Sequence, residues 1–157
     1  MKEVNLSLAD VMRRVEFILT EARQRAPRYD QVVRMAFRVV SNYQSVGRDC
    51  GSEYIYRASR LRSEQAHNAI LEGREKGCLH NEHQEPLKAV WNWIVDRGDV
   101  TSEELYERLL KWPMVVITRE ENRSIPRSDE PITRYKHITV LVREEDGRWR
   151  PRDGASR

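Results

Sequence analysis

Cysteine is scarce in this chain: 157 residues carry only Cys50 and Cys78. Two cysteines make no disulfide framework, so reduced thiols in a cytoplasmic setting are the expectation. Glycine numbers only seven. No Gly-rich phosphate loop, Walker lysine or G-x-S-x-G elbow is present, so nucleotide-cradle and α/β-hydrolase chemistry have no sequence support. No apolar run approaches the roughly 20 residues that span a bilayer. The opening "MKEVNLSLAD" has no apolar core of a secretion signal. A membrane partner is therefore not expected, nor is a small-molecule cofactor. Lysine is also rare, five of the 28 basic residues, and arginine supplies the other 23. A guanidinium binds phosphate and carboxylate through a planar fork, which an ammonium cannot do.

What is present is charge. Charged residues make up 34% of the chain against 39% apolar, with a net charge of +3. That balance suits helices with one apolar face and a charged outer face. The charge is uneven: residues 1–62 hold 12 basic and 7 acidic side chains, residues 63–118 hold 6 and 10, and residues 119–157 hold 10 and 8. An arginine-rich surface of this kind fits docking on nucleic acid or on a charged protein complex.

Periodicity and caps set the expected architecture. Ser7 with Asp10 forms a capping box, and Leu8, Val11, Val15, Ile18, Leu19 and Ala22 recur at helical spacing until Pro27. The stretch "YDQVVRMAFRVVSNYQSVG" predicts a second, central helix ending at Gly47. A third helix is expected from Ser63 to about Glu75, with a shorter helix or extended piece before it. Pro86 opens a fourth helix that Gly98 ends, and Thr101 with Glu104 caps a fifth. "MVVIT", residues 114–118, reads as a buried strand, and Thr118 with Glu121 caps a helical turn after it. "KHITVLVREEDGRWRP" reads as a hairpin turning at Asp146–Gly147. The expectation is an α+β protein: a predominantly helical body of about five helices with a small late antiparallel sheet. It forms one compact domain over residues 1–150, with a disordered tail at 151–157.

Three groups of residues are candidates for function. Tyr54, Tyr56, Arg57, Arg60 and Arg62 interleave aromatic rings with guanidinium groups, as a nucleic-acid patch does, and an amphipathic helix would use the same residues. Trp93 falls off the apolar face of its helix and is a candidate partner anchor. The densest chemistry lies in "CLHNEHQEPLKAVW", Cys78 to Trp91. Cys78, His80 and His83 have the side-chain types for zinc, although the usual C-x-x-C half is missing. Glu82 and Glu85 also suit the positive end of the helix that Pro86 opens, which would leave the histidines as ordinary loop residues.

The segment "NEHQEPLK" resembles the first motif of the HNH (His-Me finger) nucleases, and "VVITREEN" supplies a following strand and helix. That resemblance implies Glu82 as ligand to a divalent metal (Mg, Mn or Zn), His83 as general base, and Glu121 or Asn122 as the ligand from the helix. The middle asparagine of the family and its buttressing cysteine pairs are absent, and two helices separate the halves. The leading expectation is therefore a non-catalytic binding or regulatory protein without a cofactor. It would act on a nucleic-acid-associated complex, as a phage or mobile-element inhibitor of a host defence system would. The HNH-like nuclease is the alternative.

Overall fold

The computed structural model describes residues 5–153. In chain order the elements are α1 (Leu8–Ala22), α2 (Gln31–Val46), α3 (Ser52–Ala58), β1 (Leu61–Ser63), α4 (Glu64–Leu71), β2 (Leu79–His83), α5 (Leu87–Arg97), α6 (Ser102–Lys111), β3 (Met114–Thr118), α7 (Arg119–Ser124), α8 (Pro131–Tyr135), β4 (Val140–Arg143) and β5 (Trp149–Pro151). The class is α+β, but the expected proportions need correction. Among the described residues eight helices replace about five, and the small late hairpin is the edge of a five-stranded mixed sheet. Among the described residues no helix is long and apolar enough to cross a membrane.

The chain divides into two compact units, residues 1–50 with 85–113, and residues 51–84 with 114–157. The first unit is helical and comprises α1, α2, α5 and α6. Its core gathers Val11, Val15, Ile18, Phe37, Val40, Val90, Trp91, Ile94 and Leu105. Tyr29 packs edge-on against Phe37 at 6.2 Å and tilted against Trp91 at 5.9 Å. The ends of these helices follow local chemistry. Ser7 and Thr101 each complete a capping box, with the N3 carboxylate returning a bond to the cap N–H. Gly47 and Gly98 terminate α2 and α5 in the left-handed region, which costs glycine nothing.

The second unit holds the sheet, in the order β2-β3-β1-β4-β5. β1 and β3 run parallel, with Arg62 opposite Val116, and the other neighbours are antiparallel. β3 is buried along its whole length, as the β-branched run Val115–Val116–Ile117 demands. One sheet face carries Val115, Ile117 and Val140, packed with Tyr135 and Ile138. The other carries Met114, Val116 and Leu79, and α3 and α4 contact the sheet through β2, β1 and β3. Ser63 and Thr118 each end a strand and cap the helix that follows. Of the tail expected at 151–157, Pro151 closes β5 and the Arg152 N–H bonds the Val140 carbonyl at 2.8 Å; residues 154–157 lie outside the described residues.

Candidate functional site

The strand β2 is the histidine-rich segment itself. Its register against β3 pairs Leu79 with Thr118, His80 with Ile117, Asn81 with Val116, Glu82 with Val115 and His83 with Met114. Side chains alternate across a strand, so His80 and Glu82 share the Val115–Ile117 face while Asn81 and His83 point to the other. The resemblance-based pair, Glu82 with His83, is therefore split by the sheet. The pair that meets is His80 with Glu82, at 3.0 Å between Nε2 and Oε2. An ionised carboxylate only accepts, so in this contact the imidazole Nε2 is the donor.

Glu82 is held from its other side. Its Oε1 accepts a bond from Arg134 Nη2 at 2.5 Å, and both side chains are largely buried, 18% and 11% exposed. The Tyr135 phenol adjoins this group. Burial pushes its ionisation well above the ordinary range, with the carboxylates of Glu82 and Glu121 adding and Arg134 and Arg152 opposing. Its hydroxyl is buried and has no hydrogen-bond partner. Gln84, fully buried, accepts from Arg152 Nη1 at 2.8 Å. The result is a carboxylate that orients one imidazole, is neutralised by one guanidinium, and has a phenol within its field.

The remaining site candidates are placed as follows. His83 is partly buried, and burial holds its imidazole down to about 4; Glu82 opposes that shift, and His80 and Arg134 add to it. It is therefore neutral at physiological pH. Glu121 is buried and serves structure: its Oε2 accepts from Ser63 Oγ at 2.6 Å, Thr118 N at 2.8 Å and Thr118 Oγ at 3.1 Å. That oxygen ties the caps of α4 and α7 together at the end of β3 that pairs with Leu79. Glu82 pairs with Val115 instead, about 10 Å further along the strand. Asn122 is partly exposed on α7. Cys78 precedes β2, and His80 and His83 lie on opposite faces of the strand, so these three candidate ligands do not converge. Among the described residues no three His, Cys, Asp or Glu side chains gather as metal ligands. These residues do not fit the divalent metal that the nuclease resemblance implies.

The arginine–tyrosine patch is largely committed to internal contacts. Arg57 is ion-paired with Glu75, and Arg60 donates twice to the Arg143 carbonyl, at 3.2 and 3.0 Å. Arg62 is 5% exposed and lies over the Trp149 ring at 3.8 Å. Tyr56 donates its hydroxyl to the Leu79 carbonyl, and Tyr54 is exposed. In the helical unit Trp93 is partly buried against the core. Arg108 lies 4.2 Å over its ring and grips Glu85 with two bonds, at 3.1 and 2.6 Å.

Sequence reasoning missed a cleft formed where α4 turns into β2. Gly73 and Gly77 take positive φ in this turn, 69° and 73°, a conformation that costs other residues about 1 kcal/mol or more. A cleft of about 730 Å³ there is lined by Tyr56, Arg57, Glu75, Lys76 and Arg119, among others. A second, of about 520 Å³, is lined by Glu72, Arg74, Cys78, Arg119, Glu120 and Arg123, among others, and the two share Gly77 and Arg119. Arg57 pairs with Glu75 and Arg74 with Glu72. Among the described residues no ion pair involves Lys76, Arg119 or Arg123. The glycines and the scattered cations were the available signals, but they converge only through the fold.

Comparison with protein families, with curated proteins and with solved structures finds no match for this chain.

Proposed function

We propose that this chain is a non-catalytic binding or regulatory protein that engages the nucleic acid of a larger complex through the double cleft of its second unit. The observation that supports the reading is the charge left over there. After Arg57–Glu75 and Arg74–Glu72 cancel, Lys76, Arg119 and Arg123 face only Glu53 and Glu120. Three cations along two connected clefts, with the Tyr56 ring beside them, suit a phosphate backbone with room for a base to stack. A mobile-element inhibitor of a host complex is one concrete form of this reading.

Anisotropy titrations with labelled single-stranded DNA and RNA test it. Binding should weaken with salt, and Lys76→Ala/Arg119→Ala/Arg123→Ala should lower affinity at least tenfold. The triple variant should also flatten the log–log salt slope by about 2, at roughly 0.7 for each phosphate that is no longer neutralised. Unchanged affinity and slope in the triple variant would remove the cleft from consideration.

The His80–Glu82–Arg134 group favours a second reading, hydrolysis with His80 as general base. A carboxylate that fixes the tautomer of an imidazole is the arrangement base catalysis needs. A plasmid and single-strand cleavage assay, run with divalent metal and with chelator, compares wild type with His80→Ala and His83→Ala. Cleavage lost only in His80→Ala supports that reading; absence of cleavage by folded wild type leaves the binding reading in place.

A further inference from the structure

We propose that the junction of β1, α4 and β5 in the second unit is an oxyanion site, with Arg62 as its buried donor and a terminal phosphoryl group as its ligand. Register places Arg62, Leu141, Arg143 and Trp149 on one sheet face. Against that face α4 sets His67, whose ring lies 5.2 Å from the Trp149 indole that Arg62 also covers. Arg62 is 5% exposed yet makes no ion pair among the described residues, and its Nε is buried without a hydrogen-bond partner there. The Nδ1 of His67 is likewise buried and unpartnered.

Electrostatics point the same way. Burial holds the Arg62 guanidinium down to about 10, with Arg143 adding to the effect and no carboxylate opposing it. For His67, burial and the charge of Arg62 lower its ionisation, and only Glu64 opposes them. A buried cation without a counter-charge is costly, and a single indole face offsets only part of that cost. Two orphaned nitrogens and a second guanidinium at one place describe a site complementary to an anion. A guanidinium stacked on a ring directs its N–H fork sideways, in the plane that matches two phosphate oxygens. Two guanidinium charges match a phosphomonoester, which carries close to two negative charges, better than a carboxylate or a diester. The site uses none of the cleft residues and goes beyond the binding reading above.

The same chemistry is offered by free phosphate and by the 5′-phosphate of a strand, and two measurements separate them. The first is the melting temperature of wild type and Arg62→Met in phosphate against chloride at equal ionic strength. The second is the affinity of a 5′-phosphorylated against a 5′-hydroxyl oligonucleotide. Wild type should melt higher in phosphate. Arg62→Met should melt no lower than wild type in chloride, because it removes an uncompensated charge, and should lose the phosphate response. A strand ligand predicts at least tenfold tighter binding of the phosphorylated oligonucleotide, abolished in Arg62→Met. Phosphate stabilisation without that preference assigns the site to free phosphate. A phosphate response that persists in Arg62→Met, or is absent from wild type, overturns the proposal. Cleft variants should weaken both oligonucleotides alike and leave their ratio intact, so failure of the cleft reading is read separately.

Discussion

Removing Glu82 while leaving Arg134 in place is the sharpest test of the polar group on β2. The Glu82→Gln side chain keeps the size of the carboxylate but loses the charge that faces a guanidinium only 11% exposed. Breaking a buried pair from one side costs about 3–5 kcal/mol, chiefly because the surviving charge stays buried. Glu82 itself is 18% exposed, so partial solvent screening brings the expected cost to about 2–4 kcal/mol. The amide also cannot satisfy Arg134 and the His80 Nε2–H as a carboxylate does, which belongs within the same range. Arg134→Met removes the cation instead and strands the carboxylate, with a similar expected loss. Glu82→Leu/Arg134→Met deletes both charges and should recover to within about 1 kcal/mol of wild type, since buried pairs replaced by apolar groups are often near neutral. Urea unfolding at pH 7.5, followed by tryptophan fluorescence, measures all of these in one double-mutant series. A loss below 1 kcal/mol in Glu82→Gln, or a double variant that costs the sum of the singles, would refute the reasoning.

Two further outcomes follow from the same unit. The His83 imidazole has a folded value near 4 against about 6.5 unfolded, so below pH 6.5 the unfolded chain binds the extra proton and stability falls as pH falls, flattening near pH 4. The difference is worth about 3 kcal/mol, so wild type should lose about that much more than His83→Gln between pH 7.5 and 4 in parallel denaturation curves; coincident pH dependences would refute the burial of this ring. Glu121→Ala leaves the Thr118 N–H and the Ser63 hydroxyl without their buried acceptor and should cost about 2–4 kcal/mol, whereas Glu121→Gln, which keeps an acceptor oxygen, should cost less than half of that in the same assay.

The elements that a reader of the sequence can locate are those whose causes are local. Ser7, Thr101 and Thr118 each stand three residues before a carboxylate, and all three capping boxes are present. The β-branched run of β3 and the Asp146–Gly147 turn are equally local signals. By contrast, β1 is three residues long, and its last, Ser63, has the identity of a helix cap, which it also is. β2 reads "LHNEH", with a single apolar residue, and becomes a strand only because β3 offers it a full ladder of partners. The pairing of Glu82 with His83 rested on the resemblance to the HNH motif; in a strand the side-chain period is two, and the pair that meets is His80 with Glu82. Arg62 shows the same effect. Its neighbours Arg57 and Arg60 are on the surface, but β1 turns Arg62 under Trp149, a residue 87 positions away that no local pattern connects to it.

The order β2-β3-β1-β4-β5 also governs when the sheet can exist as the chain leaves the ribosome. β1 and β2 are not neighbours, and the first strand able to pair with either is β3, which begins at Met114. Every residue of the helical unit precedes that position. The helical unit can therefore complete its own contacts while residues 51–84 still wait for theirs, and β3 then recruits β2 and β1 from opposite sides at once. Vectorial synthesis thus gives this interleaved chain an order of completion, with the helical unit before the sheet unit, and makes Met114–Thr118 the segment on whose arrival the second unit depends.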